Sequence, residues 1–316
     1  MQFLPRDFIE TGDGLFFAVV DGVIEDGRVL CFLRYACVGG YTVKLDTLTA
    51  NAFLQDKYPA YWFYSRRLDV YLHAVPLSDI EQHHMPRARV QQLLTLSSPD
   101  APRDTIESKL LKLIDYLVLQ GISPESVGVT GSLLIGRQHA ASDIDLVFYD
   151  RSGFFHARQI VVAAIEQGVL QALDEVDWIA AWDRRGRGLD FEAFVRHERR
   201  KGNKGMVDGV KFDLALVADE PVAVDADVWV KHGSRQIRAR VVEDAHAYDQ
   251  PARYTLDHDT VGEILCFTHT YVGQARVGEM IDACGMLEVS HGGRRRLVVG
   301  SSREAPGEYI QVLWDQ

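Results

Sequence analysis

The amino-acid sequence predicts an α+β fold: a mixed sheet with helices at the centre of the chain, flanked by β-rich N- and C-terminal regions. Three observations predict it. Apolar residues recur at spacings of three and four over 104–121 and again over 155–173, the period of an amphipathic helix. An apolar run before Gly131-Ser132, a second that holds Ser142-Asp143-Ile144-Asp145-Leu146, and a third over 210–217 lie beside these segments and read as strands of one sheet. Both ends of the chain carry short apolar or alternating runs punctuated by Gly, Asp and Pro, the pattern of antiparallel strands and turns. Pro99 and Pro102 mark a linker over 97–103, so the expected domains are 1–98, 99–220 and 221–316.

Composition narrows the function class. The 316 residues are 47% hydrophobic and 25% charged, which is ordinary for a globular chain of two or three domains. The formal net charge of −11 excludes a non-specific nucleic-acid coat protein, because such binding needs many cationic phosphate contacts; a local basic patch stays possible. Cys31, Cys37, Cys266 and Cys284 show no zinc spacing and read as buried thiols in a reducing cytosol. No apolar run approaches the ~20 residues that span a bilayer, and the acids of the first fourteen residues interrupt any signal-peptide core. The expectation is a soluble cytoplasmic protein with no membrane partner, its oligomeric state open.

In the N-terminal region, the runs 15–20 and 28–35 flank Glu25-Asp26-Gly27, and Asp-Gly is a hairpin signal. Gly39-Gly40 turns the chain into a third strand over 41–45. The stretch 51–67 combines Tyr58, Tyr61, Trp62, Phe63 and Tyr64 with Arg66 and Arg67, which reads either as a core edge or as a base-stacking surface. His83-His84 has no carboxylate or cysteine pattern around it and reads as solvated surface. In the central region, Ile106, Leu110, Leu113, Ile114, Leu117 and Val118 form the inward stripe of a helix, with Asp104 as N-cap, Glu107 three residues on and Gly121 at its end. A second helix is expected over 155–173. In the C-terminal region, 222–230 and 236–242 alternate as strands, a short helix is expected after Asp259, and strands at 286–289, 296–300 and 309–313 suggest a small sheet or barrel. Arg294-Arg295-Arg296 reads as an edge strand guarded by charge.

The chemistry concentrates in VGVTGSLLIGRQHAASDIDLVFYD, residues 127–150. In a strand, side chains alternate between faces, so Asp143 and Asp145 point the same way while Ile144 and Leu146 face the core. Two acids on one face repel unless a cation sits between them, and a hard divalent ion such as magnesium suits oxygen ligands. Asp213 lies inside the apolar strand 210–217, where an unpaired acid is costly; the same ion would supply its partner, or a lysine would. Residues 183–205 form the chief electrostatic anomaly of an acidic chain, with Arg184, Arg185, Arg187, Arg196, Arg199, Arg200, Lys201 and Lys204. Two readings stand: a solvated helix face with pairs such as Glu192 to Arg196, or a polyphosphate or nucleic-acid contact.

Gly131-Ser132, ten intervening residues, Asp143-x-Asp145 and the later strand acid Asp213 together resemble the DNA polymerase beta superfamily of nucleotidyltransferases. The resemblance covers 106–217, about a third of the chain, and departs in having Thr130 where an apolar residue is usual. Ser142 before Asp143 fits the Ser-Asp-Ile-Asp form of many members. The flanks more loosely resemble uncharacterised, predicted nucleotidyltransferases of archaea and some bacteria. The resemblance implies a polymerase-beta-like core and an in-line attack of a hydroxyl on the α-phosphorus of a nucleoside triphosphate, ATP among them, expelling pyrophosphate. It implies two metal ions, magnesium or manganese, on Asp143, Asp145 and Asp213, with Asp143 and Asp145 bridging both and Asp213 activating the acceptor. It places Gly131 and Ser132 on the β- and γ-phosphates near a helix N-terminus, with Arg137 or a member of the 184–204 cluster (Arg199, Arg200, Lys201, Lys204) neutralising the triphosphate. The acceptor is open between an RNA 3′ end, as in tRNA-repairing relatives, and a small molecule or protein hydroxyl. Two alternatives remain: a non-catalytic nucleotide-sensing module, and a toxin sharing the chemistry, which the long β-rich flanks disfavour.

Overall fold

The computed structural model describes residues 2–95, 105–186, 188–218 and 227–314. The linker 97–103, the N-cap Asp104, Arg187 and most of the strand expected over 222–230 lie outside the described residues. The chain divides into two compact units, one of Met1–Phe63, Tyr71–Leu173 and Gly202–Pro221, the other of Tyr64–Val70, Asp174–Lys201 and Val222–Gln316. The architecture is α+β, with helices among three sheets. Among the described residues no helix is long and apolar enough to cross a membrane.

The first sheet, most of it in the first unit, takes strands β1 (Phe8–Thr11), β2 (Leu15–Glu25), β3 (Arg28–Val38) and β4 (Tyr41–Lys44), then, after helix α1 (Thr47–Lys57), strands β5 (Trp62–Ser65), β6 (Val70–Pro76) and β7 (Ile80–His84). They pair in the order β5-β6-β3-β2-β1-β7, with β4 on β3. Asp26 (φ 50°) and Gly27 (φ 70°) form the expected two-residue hairpin turn, pairing Glu25 with Arg28. The apolar run Leu15-Phe16-Phe17 is continuous because both faces of the sheet are covered. Phe17, Val19, Val29, Cys31 and Leu33 pack with Ala50 and Leu54 of α1 and with Tyr61. Phe8, Phe16 and Tyr35 pack against Leu134 and Ile135. Tyr61 joins this core and Tyr58 stacks on it at 5.9 Å, which realises the core-edge reading of that part of 51–67. His83-His84 departs from the expectation of solvated surface. In β7 the two imidazoles lie opposite β1, where His83 Nε2 meets Asp7 Oδ2 at 2.7 Å and His84 Nε2 meets Glu10 Oε2 at 2.9 Å. Their carboxylates are distant in sequence, so no local pattern announces them.

The second sheet of this unit holds β8 (Val127–Thr130), β9 (Ile144–Phe148), β10 (Lys204–Val207) and β11 (Val210–Leu216), in the order β10-β11-β9-β8. β9 and β11 are parallel and the two outer pairings antiparallel, so the sheet is mixed as expected. Its helices are α2 (Pro86–Thr95), α3 (Thr105–Leu119) and α4 (Arg151–Glu166). In α3, Leu110, Leu113, Ile114 and Leu117 are buried as the period predicts, but Val118 is 38% exposed. α4 starts before the expected 155 because Asp150 caps it, accepting from the backbone N–H of Ser152 and Gly153. At Gly128 in β8 an added Cβ would lie 2.6 Å from Pro86 Cβ, so only glycine lets α2 approach this closely.

The second unit holds helices α5 (Glu175–Arg185) and α6 (Phe191–Lys201) and strands β12 (Trp229–Glu243), β13 (Ala252–Asp257), β14 (Glu263–Cys266), β15 (Met280–Ser290), β16 (Arg295–Val299) and β17 (Tyr309–Val312). The order β12-β13-β14-β16-β15 closes through a β12–β15 pairing, and β17 adds to β15. The expected small sheet or barrel is therefore a closed barrel, its interior filled by Ile237, Val241, Tyr254, Ile264, Ile281 and Leu297. Two expectations are corrected here. The helix after Asp259 is strand β14, because Ile264-Leu265-Cys266 is buried between β13 and β16, and a short apolar run does not distinguish helix from strand. Arg294-Arg295-Arg296 does not guard an edge, since β16 lies inside the sheet. Arg296 is buried, pairs with Glu288 Oε2 at 2.8 Å and lies 3.9 Å over the Trp229 ring, while Arg294 pairs with Asp227. The four cysteines are free; Cys31 and Cys266 are buried as expected, whereas Cys284 is half-buried and Cys37 exposed, a correction to that expectation.

Candidate functional site

Strand register builds the site. Asp145 in β9 stands opposite Asp213 in β11, and the strands are parallel neighbours. On either side, Thr130 of β8 is opposite Asp145, and Lys204 of β10 is opposite Asp213. The four residues form one lateral row, Thr130–Asp145–Asp213–Lys204. Residues opposite one another on neighbouring strands share a face and lie ~5 Å apart. Ile144 and Leu146 are buried beneath, and Asp143 and Asp145 are half-buried on the site face, as the alternation predicts.

Asp213 is held by two side chains. Asn203 Nδ2 donates to Asp213 Oδ1 at 2.8 Å and to the Leu214 carbonyl at 3.1 Å, and Lys204 Nζ stands 3.6 Å from Asp213 Oδ2. Lys204 therefore faces the row through Asp213. Thr130, the departure from the family pattern, is 5% exposed and its hydroxyl donates to the Arg6 carbonyl at 2.6 Å. That bond ties the N-terminal segment to the first strand of the site.

Gly131 follows with φ 70°, and a Cβ there would lie 2.8 Å from Asp145 Oδ2. The backbone is pressed against the carboxylate, which only glycine allows. Residues 131–136 are turns, so no α-helix separates β8 from β9, and the expected helix N-terminus at Gly131-Ser132 is absent. Hydrogen bonds hold this segment instead. The Arg137 N–H donates to the Ser132 carbonyl at 2.8 Å, Ser132 Oγ meets Ser142 Oγ at 3.2 Å, and Ser142 Oγ accepts from the His139 N–H at 3.0 Å. Ser142 thus closes the loop that delivers Asp143. Arg137 is exposed, its guanidinium 5.9 Å from the Phe16 ring centre.

The basic segment divides. Lys204 belongs to the row, whereas Arg199, Arg200 and Lys201 belong to the second unit. Arg199 is exposed. Arg200 Nη2 pairs with Glu279 Oε1 at 2.6 Å. Lys201 is 2% exposed, with Nζ at 2.5 Å from Glu198 Oε1 and 2.6 Å from the Thr270 carbonyl. It falls on the inward stripe of Ala193, Phe194 and His197, a helical period that the count of charges concealed. Arg196 rests 3.9 Å over the Trp314 ring.

Tyr35 escaped the sequence reading. It sits in β3, 6% exposed, beside the turn residues Leu134 and Ile135. Burial raises its phenol above the ordinary value; Arg34 opposes the rise and the nearby Asp145 carboxylate adds to it. Tyr35 thus stays a neutral phenol close to the row. No local signal marks it, because the contact spans the two sheets of the unit.

Among the described residues, no group of three or more His, Cys, Asp or Glu side chains is gathered so as to hold a metal ion. The donors in the row suit a hard cation by type, being carboxylate oxygens with no sulfur or imidazole among them. The chain is 34% identical over a 341-residue alignment to a protein named "Uncharacterized protein MJ1086" from Methanocaldococcus jannaschii, with 99% of each chain covered. No family model and no solved structure matches it.

Proposed function

The chain belongs to the family of that Methanocaldococcus jannaschii protein, and we propose that it is a divalent-metal-dependent nucleotidyltransferase. In this reading it moves a nucleoside monophosphate from a triphosphate to an acceptor hydroxyl and releases pyrophosphate. One observation carries the proposal: Asp145 and Asp213 stand side by side on parallel strands, with the Gly131 backbone against the Asp145 carboxylate. Two carboxylates side by side repel unless cations compensate them, and a hard divalent ion is a cation that suits carboxylate oxygens.

Asp143, Asp145 and Asp213 would hold magnesium or manganese, which when bound stabilises charge on the attacking and leaving oxygens. Asp213, steadied by Asn203, takes the proton of the acceptor hydroxyl. The acceptor oxygen bonds to the α-phosphorus as the bond to the bridging oxygen of pyrophosphate breaks. Gly131, bare of a side chain, admits the phosphates to the backbone, and Ser132 donates to them. Lys204 and Arg137 offset phosphate charge from the row and from the turn. For the acceptor we propose an RNA 3′ end, with a small-molecule or protein hydroxyl as the other candidates.

The test incubates the protein with each labelled nucleoside triphosphate, magnesium and total cellular RNA. Label is expected to move to RNA, and Asp145→Ala is expected to abolish the transfer while the protein stays folded. Transfer retained by Asp145→Ala refutes the assignment. A second reading, a nucleotide sensor without turnover, draws on the Lys204–Asp213 pair, which compensates one acid without a metal. Saturable triphosphate binding with no product in any fraction favours the sensor.

A further inference from the structure

The barrel carries a pocket of about 450 Å³ that the proposed reaction does not use. Ile237 of β12, Leu287 and Val289 of β15, and Val261 of the β13–β14 connection give it an apolar floor. Arg235, Arg295, His232 and His258 give it a cationic rim, and among the described residues no Asp or Glu lines it, although the chain as a whole carries −11. Such a lining selects an anion with an apolar body.

Three features make this a built site rather than a chance hollow. First, β12 bulges at its edge. The register with β15 shifts between Lys231 and Ser234, so that His232 and Gly233 (φ 93°) together oppose Leu287 alone. A bulge bends a strand and re-aims a side chain, here His232 of the rim. Second, His258 Nδ1 accepts from the backbone N–H of Thr260 at 3.1 Å and of Val261 at 3.2 Å. The ring is pinned, and in its neutral form the proton sits on Nε2, leaving one fixed donor. Third, among the described residues the Arg235, Arg295 and His232 side chains make no ion pair or hydrogen bond, unlike the flanking Arg294 and Arg296, which are both paired.

We infer that this pocket binds the phosphate and base of a single nucleotide, either free or as the end of a single-stranded RNA. The guanidiniums of Arg235 and Arg295 take the phosphate oxygens in bidentate fashion. The flat base lies on the branched aliphatic floor, and the volume suits one nucleotide rather than a duplex. The pocket's lining residues all belong to the second unit, and none of them is used in the proposed transfer chemistry.

The test is fluorescence anisotropy with a labelled single-stranded RNA hexamer, in full-length Asp145→Ala protein so that turnover plays no part. Saturable binding is expected. Arg235→Ala with Arg295→Ala should weaken it at least tenfold and flatten the slope of log affinity against log salt by about 1.4, at ~0.7 per cation. Both arginines are exposed, so the pair should melt as the parent does; Arg235→Lys with Arg295→Lys keeps the charge and should restore the salt slope. AMP displacing the hexamer with similar affinity assigns the site to free nucleotides, and displacement by unlabelled hexamer alone assigns it to RNA ends. No binding, binding indifferent to the alanine pair, or displacement by inorganic phosphate as strong as by AMP overturns the inference.

Discussion

Gly131→Ala tests whether the backbone of the Gly-Ser turn works as part of the carboxylate site. Two costs follow from the structure. The first is conformational: at φ 70° an alanine occupies the left-handed region at ~1–2 kcal/mol. The second is a collision, since the new Cβ would sit 2.8 Å from Asp145 Oδ2 where ordinary contact begins at 3.4 Å, so the carboxylate must recede by about 0.6 Å. Gly136 separates the two costs. It has φ 63° and nothing within 4 Å of an added Cβ, so Gly136→Ala incurs the first cost alone. Urea denaturation should show Gly136→Ala destabilised by ~1–2 kcal/mol, and Gly131→Ala by at least as much. Nucleotidyl transfer should fall on the order of 10- to 100-fold in Gly131→Ala, because misplacing a catalytic group by about 1 Å costs ~10²-fold, and stay near wild type in Gly136→Ala. Equal activities in the two variants would refute the reasoning, since they would show that the position of Asp145 is immaterial.

Lys204→Ala removes the cation 3.6 Å from Asp213, so the metal-free variant should melt below wild type, and magnesium should raise its melting temperature more than it raises that of wild type; no added effect of magnesium would argue against a metal at the row. His197 is buried and held down to about 3, first by burial, then by Lys201 and Arg200. The unfolded chain gains a proton below the ordinary 6.5 that the folded chain refuses, so this contribution to stability is whole above pH 6.5 and is lost as the pH falls towards 3, at up to ~1.4 kcal/mol per unit. His197→Gln, whose amide oxygen can still accept from the Val312 N–H, should flatten the fall between pH 6.5 and 5 in urea denaturation; a slope identical to wild type would contradict the assignment.

What the sequence made legible was local. Asp26-Gly27 announces its hairpin, and the alternation through Asp143, Ile144, Asp145 and Leu146 separates the buried Ile144 and Leu146 from the half-buried Asp143 and Asp145. What it hid was non-local or ambiguous in period. His83 and His84 read as surface because Asp7 and Glu10 reach them only through the β1–β7 pairing. The segment Ile264-Leu265-Cys266 is too short to declare its period, and its neighbours decide for strand. The run at 294–296 reads as one basic patch, yet alternation along β16 divides it: Arg296 goes into a buried pair and Arg295 to the pocket rim. In α6 the stripe that buries Lys201 was present in the sequence, but net charge outweighed it in a reading by composition.

The row itself joins two kinds of encoding. Asp213 meets Asp145 across a parallel pair, and parallel neighbours require a crossover connection, here beginning with α4. No local spacing fixes how far along the chain the second acid falls, so it could be found only as an acid within an apolar strand. The Lys204–Asp213 pair is different. β10 and β11 are joined by Asp208 (φ 47°) and Gly209 (φ 76°), a two-residue turn that sets Val207 against Val210 and, three pairs further out, Lys204 against Asp213. A slip of one residue in that hairpin would send Lys204 to the opposite face of the sheet. The acids are therefore brought together by topology, while the cation that steadies one of them is placed by a four-residue strand and its turn. The compensating charge is set by the hairpin and does not depend on the crossover that assembles the acids, which gives the row a resident cation whether or not a metal is bound.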